Sequence, residues 1–238
     1  MKLLNDRAFF GRLLLPLAAL CAGLFPASSI AAQDLENAQL LHPSSDSWPM
    51  YHGDYSGRRH VRFTQIAPRN VGDLSLAWAF QTNQPAQIKS SPLLVDGILY
   101  FTVPDNIWAV DARSGHMIWH YNRPSKGEHI GQRGVAMFKG WLFFATPDAH
   151  LISLNAKDGT VRWEKIIADA SKGYWSTMAP LVVKNHVIAG VGGDLDNLPG
   201  LLHSFDPETG ATQWEWDATP PAGTVSYTHL TLPTILLV

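Results

Sequence analysis

The chain has 238 residues, a formal net charge of −2 and a sequence pI near 6.5, and charged residues make up only 16% of it. This balance, with no basic run, argues against a nucleic-acid-binding protein, so we expect no nucleic-acid partner. Nine tryptophans and a hydrophobic fraction of 46% argue against a disordered chain and predict sheets that bury aromatic side chains.

The N-terminus is typical of a secretory signal peptide. Three basic residues precede or flank the start of an apolar run at 13–25, and small residues at 29–32 offer a cleavage site. We therefore assign residues 1–32 to a signal peptide and expect a periplasmic protein with no stable membrane span after cleavage. The single cysteine, Cys21, lies inside this segment, so the mature chain is expected to fold without disulfides. A lipoprotein signal is disfavoured by Leu20, and an uncleaved anchor by the short apolar run.

Two segments precede the first repeating unit. Residues 33–47 are polar and unpatterned, and we expect a flexible leader with order beginning at Trp48. Apolar side chains alternate over 74–80, which predicts a strand that begins the architecture.

One phrase then occurs three times. Each copy has an Asp or Asn, a polar stretch ending in Gly, and a Trp four residues beyond that Gly. The copies are Asp111…Gly115…Trp119, Asn155…Gly159…Trp163 and Asp206…Gly210…Trp214. Asp or Asn bonds its own backbone two residues on, and Gly supplies the positive φ that closes a bulged hairpin. The Trp falls on the outgoing strand, where it can bury against the next unit.

The spacing of the phrase predicts the fold. The three glycines are 44 and 51 residues apart (115 to 159 and 159 to 210), which is the length of a four-stranded propeller blade. Short strand patterns around the turns at 96–97, 139–140 and 184–185 complete each unit, and a Gly- and Asp-rich loop at 192–200 lengthens the third. We therefore predict an all-β protein made of four-stranded antiparallel blades.

The C-terminal residues 224–238 contain no Asp, Glu, Lys or Arg and no copy of the phrase. They fit a truncated first strand of a further blade, or sequence derived from a cloning or sequencing adaptor. The composition favours the second explanation.

The chain resembles the pyrroloquinoline quinone (PQQ) dependent alcohol dehydrogenases of the methanol/ethanol type. The opening from Trp48 to Trp78, including Tyr51, is similar to the start of that family, and the three phrases resemble its tryptophan-docking repeats. Those repeats join eight blades into a closed propeller. The resemblance covers about residues 45–223 and implies an incomplete propeller at 48–223, with roughly three of eight blades.

The resemblance also implies a chemistry. In the family, a bound calcium polarises a quinone carbonyl, an aspartate takes the alcohol proton, and hydride passes to PQQ, whose electrons then go to a cytochrome. The expected cofactors are thus PQQ and calcium, and the expected partners are a small alcohol substrate and a cytochrome acceptor. The family's catalytic aspartate belongs to later blades. We therefore assign no catalytic residue here and expect this fragment to be inactive by itself.

Several site residues follow from the resemblance. Arg133 matches the arginine of the family's Asn-Arg-Gly motif, which pairs with the cofactor's carboxylates, and Thr177 matches a threonine that bonds the cofactor. Asp194 stands where the family has a glutamate calcium ligand, and Gly192 and Gly193 before it are assigned to cofactor binding. A salt-bridging Arg, an ordinary strand Thr and a turn-forming Asp are the alternative interpretations.

Two positions depart from the family's pattern. Lys89 stands where the family usually has a glutamate that touches the quinone, so it either pairs with a cofactor carboxylate or marks the loss of that contact. The adjacent cysteines that cover one quinone face in many members are replaced by residues 127–130. Within them, His129 either stacks on the quinone or is an exposed loop residue.

Two other functions remain open from the sequence. Propellers with these repeats also serve as non-catalytic scaffolds of the outer-membrane assembly type, and Lys89 and the missing cysteines fit a propeller that has lost its quinone. A polysaccharide-binding propeller has only aromatic side chains such as Trp141 and Trp175 in its favour, and packing explains those equally well.

Overall fold

The computed structural model describes residues 35–61, 63–125, 131–193 and 198–218. Within these ranges, twelve strands form three four-stranded antiparallel sheets, each built from strands that are consecutive in sequence. We call the sheets blades 1, 2 and 3. Blade 1 contains β1 (Leu93–Val95), β2 (Ile98–Val103), β3 (Asn106–Asp111) and β4 (Met117–Asn122). Blade 2 contains β5 (Ala136–Phe138), β6 (Trp141–Ala145), β7 (His150–Asn155) and β8 (Val161–Ile166). Blade 3 contains β9 (Leu181–Val183), β10 (His186–Val191), β11 (Leu201–Phe205) and β12 (Thr212–Asp217).

The three blades confirm the predicted all-β architecture. In each blade the strands follow one another across the sheet, and the first strand of blade 2 contacts the first strand of blade 3. We call these first strands, β1, β5 and β9, the inner strands. The last strand of blade 3 has only exposed residues, whereas β7 is buried along most of its length. The core therefore lies between blades and around their middle strands.

The repeated phrase forms the turn between the third and fourth strands. In blade 1, the Asp111 carboxylate accepts hydrogen bonds from the backbone N–H groups of Arg113 and Ser114, at 3.0 and 2.8 Å. Gly115 has a φ of +73° and donates its N–H to Asp111 O at 2.9 Å. The Ser114 hydroxyl and N–H hold the pKa of Asp111 below its ordinary value. The predicted turn chemistry is confirmed.

Two of the three tryptophans of the phrase dock on the turn of the next blade. The Trp119 indole lies against Gly159 in blade 2 and donates its Nε1–H to Ala156 O at 2.9 Å. The Trp163 indole lies against Gly210 in blade 3 and donates to the carbonyl of Pro207 at 3.2 Å. The glycine of the phrase thus has a second role, because it leaves room for the ring as well as closing the turn.

The strand predicted over 74–80 is wrong. That segment has no strand neighbour among the described residues, and Leu76 is 83% exposed. Trp78 instead docks on the turn of blade 1, against Gly115 and with its Nε1–H on Ala112 O at 3.1 Å. The alternating pattern misleads because a strand needs a hydrogen-bonded neighbour as well as an apolar face. Trp78 is therefore a further docking tryptophan, outside the repeated phrase.

An N-terminal segment, residues 35–61, crosses the inner strands, and we call it the strap. It begins with helix α1 (Asn37–Leu41), whose Leu40 is buried against blade 2. Trp48 pairs with Leu94 of β1 through two backbone hydrogen bonds of 2.7 and 3.0 Å. The Tyr55 hydroxyl reaches the Val182 carbonyl of β9 at 2.5 Å. The expectation that order begins only at Trp48 is therefore wrong, because two apolar side chains, Leu35 and Leu40, anchor the polar segment before it.

A partly buried ionic cluster joins blades 1 and 2. Arg123, which follows β4, donates to both carboxylate oxygens of Asp148 at 3.0 Å and to Glu164 Oε1 at 2.7 Å. Burial acts to raise the pKa of Asp148, but the bonds from Thr146 and Arg123 outweigh it and hold that pKa below its ordinary value. The pair therefore stabilises the folded state while Asp148 is ionised.

We expect the blade 1–blade 2 contact to weaken in acid. Because the folded-state pKa of Asp148 lies below the unfolded value of 3.8, its contribution is fully present above about pH 5 and lost as pH falls through the folded pKa. Asp148→Asn should cost about 1–2 kcal/mol at pH 7, a value discounted for partial exposure. Urea unfolding between pH 7 and pH 3 should show the two curves converging in acid, whereas Glu208→Gln, at an exposed carboxylate, should follow the wild type. Parallel curves for Asp148→Asn and the wild type down to pH 3 would contradict this role.

Candidate cofactor site at the inner strands

Three equivalent segments, each just before an inner strand, lie side by side. Residues 89–91 precede β1, residues 131–134 precede β5, and residues 175–178 precede β9. The Ser91 N–H donates to Arg133 O at 3.1 Å, and the Arg133 N–H donates to Thr177 O at 3.0 Å. The repeat thus brings together three chain positions that are more than forty residues apart. We call these three segments the entry loops.

Arg133 and Thr177, both predicted site residues, contact each other directly. The Arg133 guanidinium donates through Nη1 to the Thr177 hydroxyl and to the Thr177 carbonyl, the latter at 3.4 Å. Arg133 is exposed, whereas Thr177 is buried. A guanidinium held on one edge by a buried threonine presents its remaining donors in a fixed plane. That geometry suits a carboxylate, which two parallel N–H groups can bind.

Lys89 lies on the neighbouring entry loop. Its side chain is exposed. A Cβ added to Gly131 would lie only 2.5 Å from the Lys89 Cδ, so the lysine side chain packs against this glycine. Gly131 and Gly134 have φ values of +132° and +130°, a backbone region that favours glycine. The entry loops of blades 1 and 2 therefore pack closely and carry two exposed cations, Lys89 and Arg133. This charge fits an anionic ligand such as a polycarboxylate.

An apolar cavity adjoins Arg133. It has a volume of about 360 Å³ and lies between the strap and the inner strands of blades 2 and 3. Its walls include Met50, Tyr55, Met137 and Met178, and its polar lining residues include Arg133, Asp54 and His52. A ligand held by Arg133 would lie beside this apolar wall.

Gly192 and Gly193 have structural explanations. The Gly192 N–H and carbonyl both pair with the backbone of Trp175, at 2.9 and 3.0 Å. At Gly193 a Cβ would meet Leu198 at 2.7 Å, so packing against Leu198 requires the glycine. Cofactor binding by these two residues stays a prediction, and the structure places them at the entry loop of blade 3.

The predicted metal ligand, Asp194, lies outside the described residues, as do His129, the signal peptide and the tail. Over the described ranges, no cluster of three His, Cys, Asp or Glu side chains could hold a metal ion. Among the same residues, no helix is long and apolar enough to cross a bilayer.

Of the two tryptophans considered for polysaccharide binding, Trp141 is covered by a cation. The Arg162 guanidinium covers the Trp141 ring at 4.3 Å from the centroid. Trp175 is only partly exposed, and its backbone pairs with Gly192. One face of the Trp141 ring is therefore occupied and not open to a sugar.

Gln132 is the site residue that the sequence did not reveal. Its side chain is completely buried between the entry loops, although it precedes an exposed arginine. The signal in the sequence is its place in the Gln132-Arg133-Gly134 match, in which the arginine carries the resemblance to the family.

A family model described as glucose/ethanol/alcohol dehydrogenase, beta-propeller domain, matches residues 48–231. Curated relatives include the quinohemoprotein alcohol dehydrogenase ADH-IIG of Pseudomonas putida, 33% identical over 183 residues. The match covers 73% of this chain and 26% of the relative. The quinohemoprotein alcohol dehydrogenase of Comamonas testosteroni is 34% identical over the same length, with the same coverage. The chain thus spans about a quarter of the length of these curated relatives.

Solved structures agree with the fold. The crystal structure of the Comamonas testosteroni enzyme superposes with a TM-score of 0.74 at 32% identity, covering 79% of this chain and 30% of that one. A europium-containing methanol dehydrogenase gives a TM-score of 0.71 at 28% identity, with 78% and 34% covered. The repeated docking turns, the three blades and these similarities lead to one conclusion: the chain belongs to the PQQ-dependent alcohol dehydrogenase family and carries part of its β-propeller domain.

Proposed function

We propose that this chain supplies part of the cofactor site of a periplasmic dehydrogenase that oxidises alcohols through PQQ and calcium and passes electrons to a cytochrome. The single observation that carries the proposal is the Arg133 guanidinium held by Thr177 at the inner end of the blades, beside Lys89. When bound, PQQ would supply the two-electron acceptor chemistry. This chain's residues would bind and orient its carboxylates.

The residues present fit a polycarboxylate cofactor. Arg133 and Lys89 provide two exposed cations, and Thr177 fixes the plane of the guanidinium. The glycines at 131 and 134 add no side chain to the surface of the loop. The opposite charge of Lys89, relative to the family's glutamate, favours pairing with a carboxylate over loss of the contact. Asp194 is the residue we propose as a calcium ligand, since hard cations prefer carboxylate oxygens.

The relatives favour an enzyme over a scaffold. Two curated proteins that are 33% and 34% identical are alcohol dehydrogenases by name. A further relative, 32% identical, is a 1-butanol dehydrogenase (cytochrome c) from Thauera butanivorans. We extend this to an alcohol substrate and a cytochrome acceptor for the whole protein. The predicted signal peptide supports the periplasmic location.

We expect the full chain to bind PQQ and Arg133→Leu to bind it at least about tenfold more weakly, because a charge-assisted hydrogen bond contributes about 1.5–3 kcal/mol. Titration of PQQ absorbance and fluorescence with the purified chain, in the presence of calcium, measures this affinity. Lys89→Glu should also weaken binding through repulsion of the carboxylates.

The matched control is Arg162→Leu, which removes another exposed cation, on β8. It should leave the PQQ affinity unchanged. Equal affinities for Arg133→Leu, Arg162→Leu and the wild type, or no PQQ binding by the wild-type chain, would refute the proposed site.

A further inference from the structure

The Gln132 side chain uses its whole hydrogen-bonding capacity inside the protein. Its Oε1 accepts from the Thr102 hydroxyl at 2.6 Å and from the Gly134 N–H at 2.7 Å. Its Nε2 donates to Ala145 O at 2.8 Å and to Met178 O at 3.5 Å. An amide has two donor hydrogens and two acceptor lone pairs, so every one of them has a partner.

These bonds span three blades. Thr102 lies on β2 of blade 1, Ala145 ends β6 of blade 2, and Met178 lies in the entry loop of blade 3. A fully buried and fully bonded polar group fixes its surroundings, because an unmade bond at such a site is costly. Gln132 therefore sets the spacing of the three entry loops.

In the described part of the chain, the side chains of the equivalent residues in the other blades bond only within their own blade. Ser90, in the entry loop of blade 1, accepts from the Thr102 N–H on β2 at 3.1 Å. Ser176, in blade 3, donates to Gly190 O on β10 at 2.8 Å. In all three blades the partner is the fifth residue of the second strand. The hydrogen bond from the entry loop to the second strand is thus repeated in each blade. Only the residue of blade 2, Gln132, also bonds both neighbouring blades through its side chain.

The bonds of Gln132 enclose Arg133. The Gly134 N–H returns to the Gln132 side chain, so the backbone on both sides of Arg133 is held. The Met178 carbonyl follows directly after Thr177, the residue that receives the Arg133 guanidinium. Gln132 thus holds both the backbone that carries the arginine and the segment that carries its threonine partner.

We propose that Gln132 is a positioning residue, which places the Arg133 guanidinium on Thr177 and so presets the anion-binding plane of the site. This inference rests on the proposed function for its ligand, a quinone polycarboxylate. The positioning itself is a property of the chain and is measurable without any ligand.

Two substitutions of Gln132 differ in severity. Gln132→Met has a similar length and removes all four bonds. Gln132→Asn keeps an amide but is one methylene shorter, so it cannot reach both neighbouring blades at once. The matched control is Ser204→Ala, which removes a buried hydroxyl bonded to Gln213 at 2.7 Å in blade 3, on the outer side of that blade.

The first readout is the ¹H–¹⁵N spectrum of the arginine side chains, with the Arg133 signals assigned from their absence in Arg133→Lys. In the wild type, Arg133 should give resolved guanidinium signals of a slowly rotating group. Gln132→Met should merge them with those of freely rotating arginines, Gln132→Asn should shift them part of the way, and Ser204→Ala should leave them in place.

The second readout is the PQQ affinity, which should fall about tenfold in Gln132→Met and remain unchanged in Ser204→Ala. Should Gln132→Met fail to fold, Gln132→Asn decides by the same two measurements. The proposal is overturned if a folded Gln132 variant keeps the wild-type Arg133 signals and the wild-type affinity. If the Arg133 signals respond as expected while the wild-type chain binds no PQQ, the proposed function falls and the positioning role of Gln132 stands.

Discussion

Replacing Trp119 by Ala should lower the free energy of unfolding by about 3–5 kcal/mol, the usual cost of removing a large buried aromatic side chain. Trp119 is 8% exposed, its ring lies against Gly159 and Tyr100, and its Nε1–H bonds Ala156 O. The substitution leaves a cavity between blades 1 and 2, and it leaves Ala156 O with the Tyr100 hydroxyl, at 3.2 Å, as its remaining side-chain donor. Since small domains are stable by only about 5–15 kcal/mol, urea denaturation should show a large shift of the midpoint.

Trp214 provides the matched control. It occupies the same place in the third phrase, but its side chain is 37% exposed and lies on a strand whose residues are all exposed. Trp214→Ala should therefore cost about 1 kcal/mol or less. If the two substitutions cost the same, burial of the docking tryptophan on the next turn is not what stabilises the blades.

The blades could be predicted from the sequence because their determinants are local. The Asp or Asn, the Gly and the Trp of each phrase lie within nine residues, so the turn, its bulge and the direction of the ring follow from spacing alone. The structure adds that the glycine also seats the tryptophan of the preceding blade. This second role joins residues more than thirty positions apart, which spacing cannot show.

The N-terminal elements were less predictable because their partners are distant. The alternation over 74–80 has the period of a strand, yet Trp78 docks on blade 1 and Leu76 stays exposed. The polar composition of residues 35–47 conceals two apolar anchors, Leu35 and Leu40, which pack against blades 1 and 2. In both places tertiary contacts decided the conformation against the local pattern.

The candidate site likewise contains residues that the sequence identifies and one that it does not. Arg133 and Thr177 were found through the family motifs, and the structure brings them into direct contact. Gln132 was not found, because a glutamine beside an exposed arginine looks like a surface residue. Gln132 is buried because segments of three different blades meet around it. Its partners Thr102, Ala145 and Met178 each belong to a different blade, and no short stretch of sequence contains all of them.

Gly159→Ala should destabilise the protein by about 2–5 kcal/mol, because two costs add. The first is the left-handed backbone, with φ at +75°, which costs an L-residue about 1–2 kcal/mol. The second is steric, since an added Cβ would lie 2.8 Å from the Trp119 ring, and overpacking costs about 1–3 kcal/mol.

Gly97→Ala separates the two costs. Gly97 has nearly the same φ, +76°, but no atom lies within 4 Å of the position of its added Cβ. It should therefore lose only the backbone part, about 1–2 kcal/mol, and the difference between the two urea midpoints should report the tryptophan contact alone. In Gly159→Ala/Trp119→Ala the ring is absent, so the alanine should add no more than it does at position 97. An undiminished cost of Gly159→Ala in the Trp119→Ala background would mean that the glycine is required by the turn and not by the ring it seats.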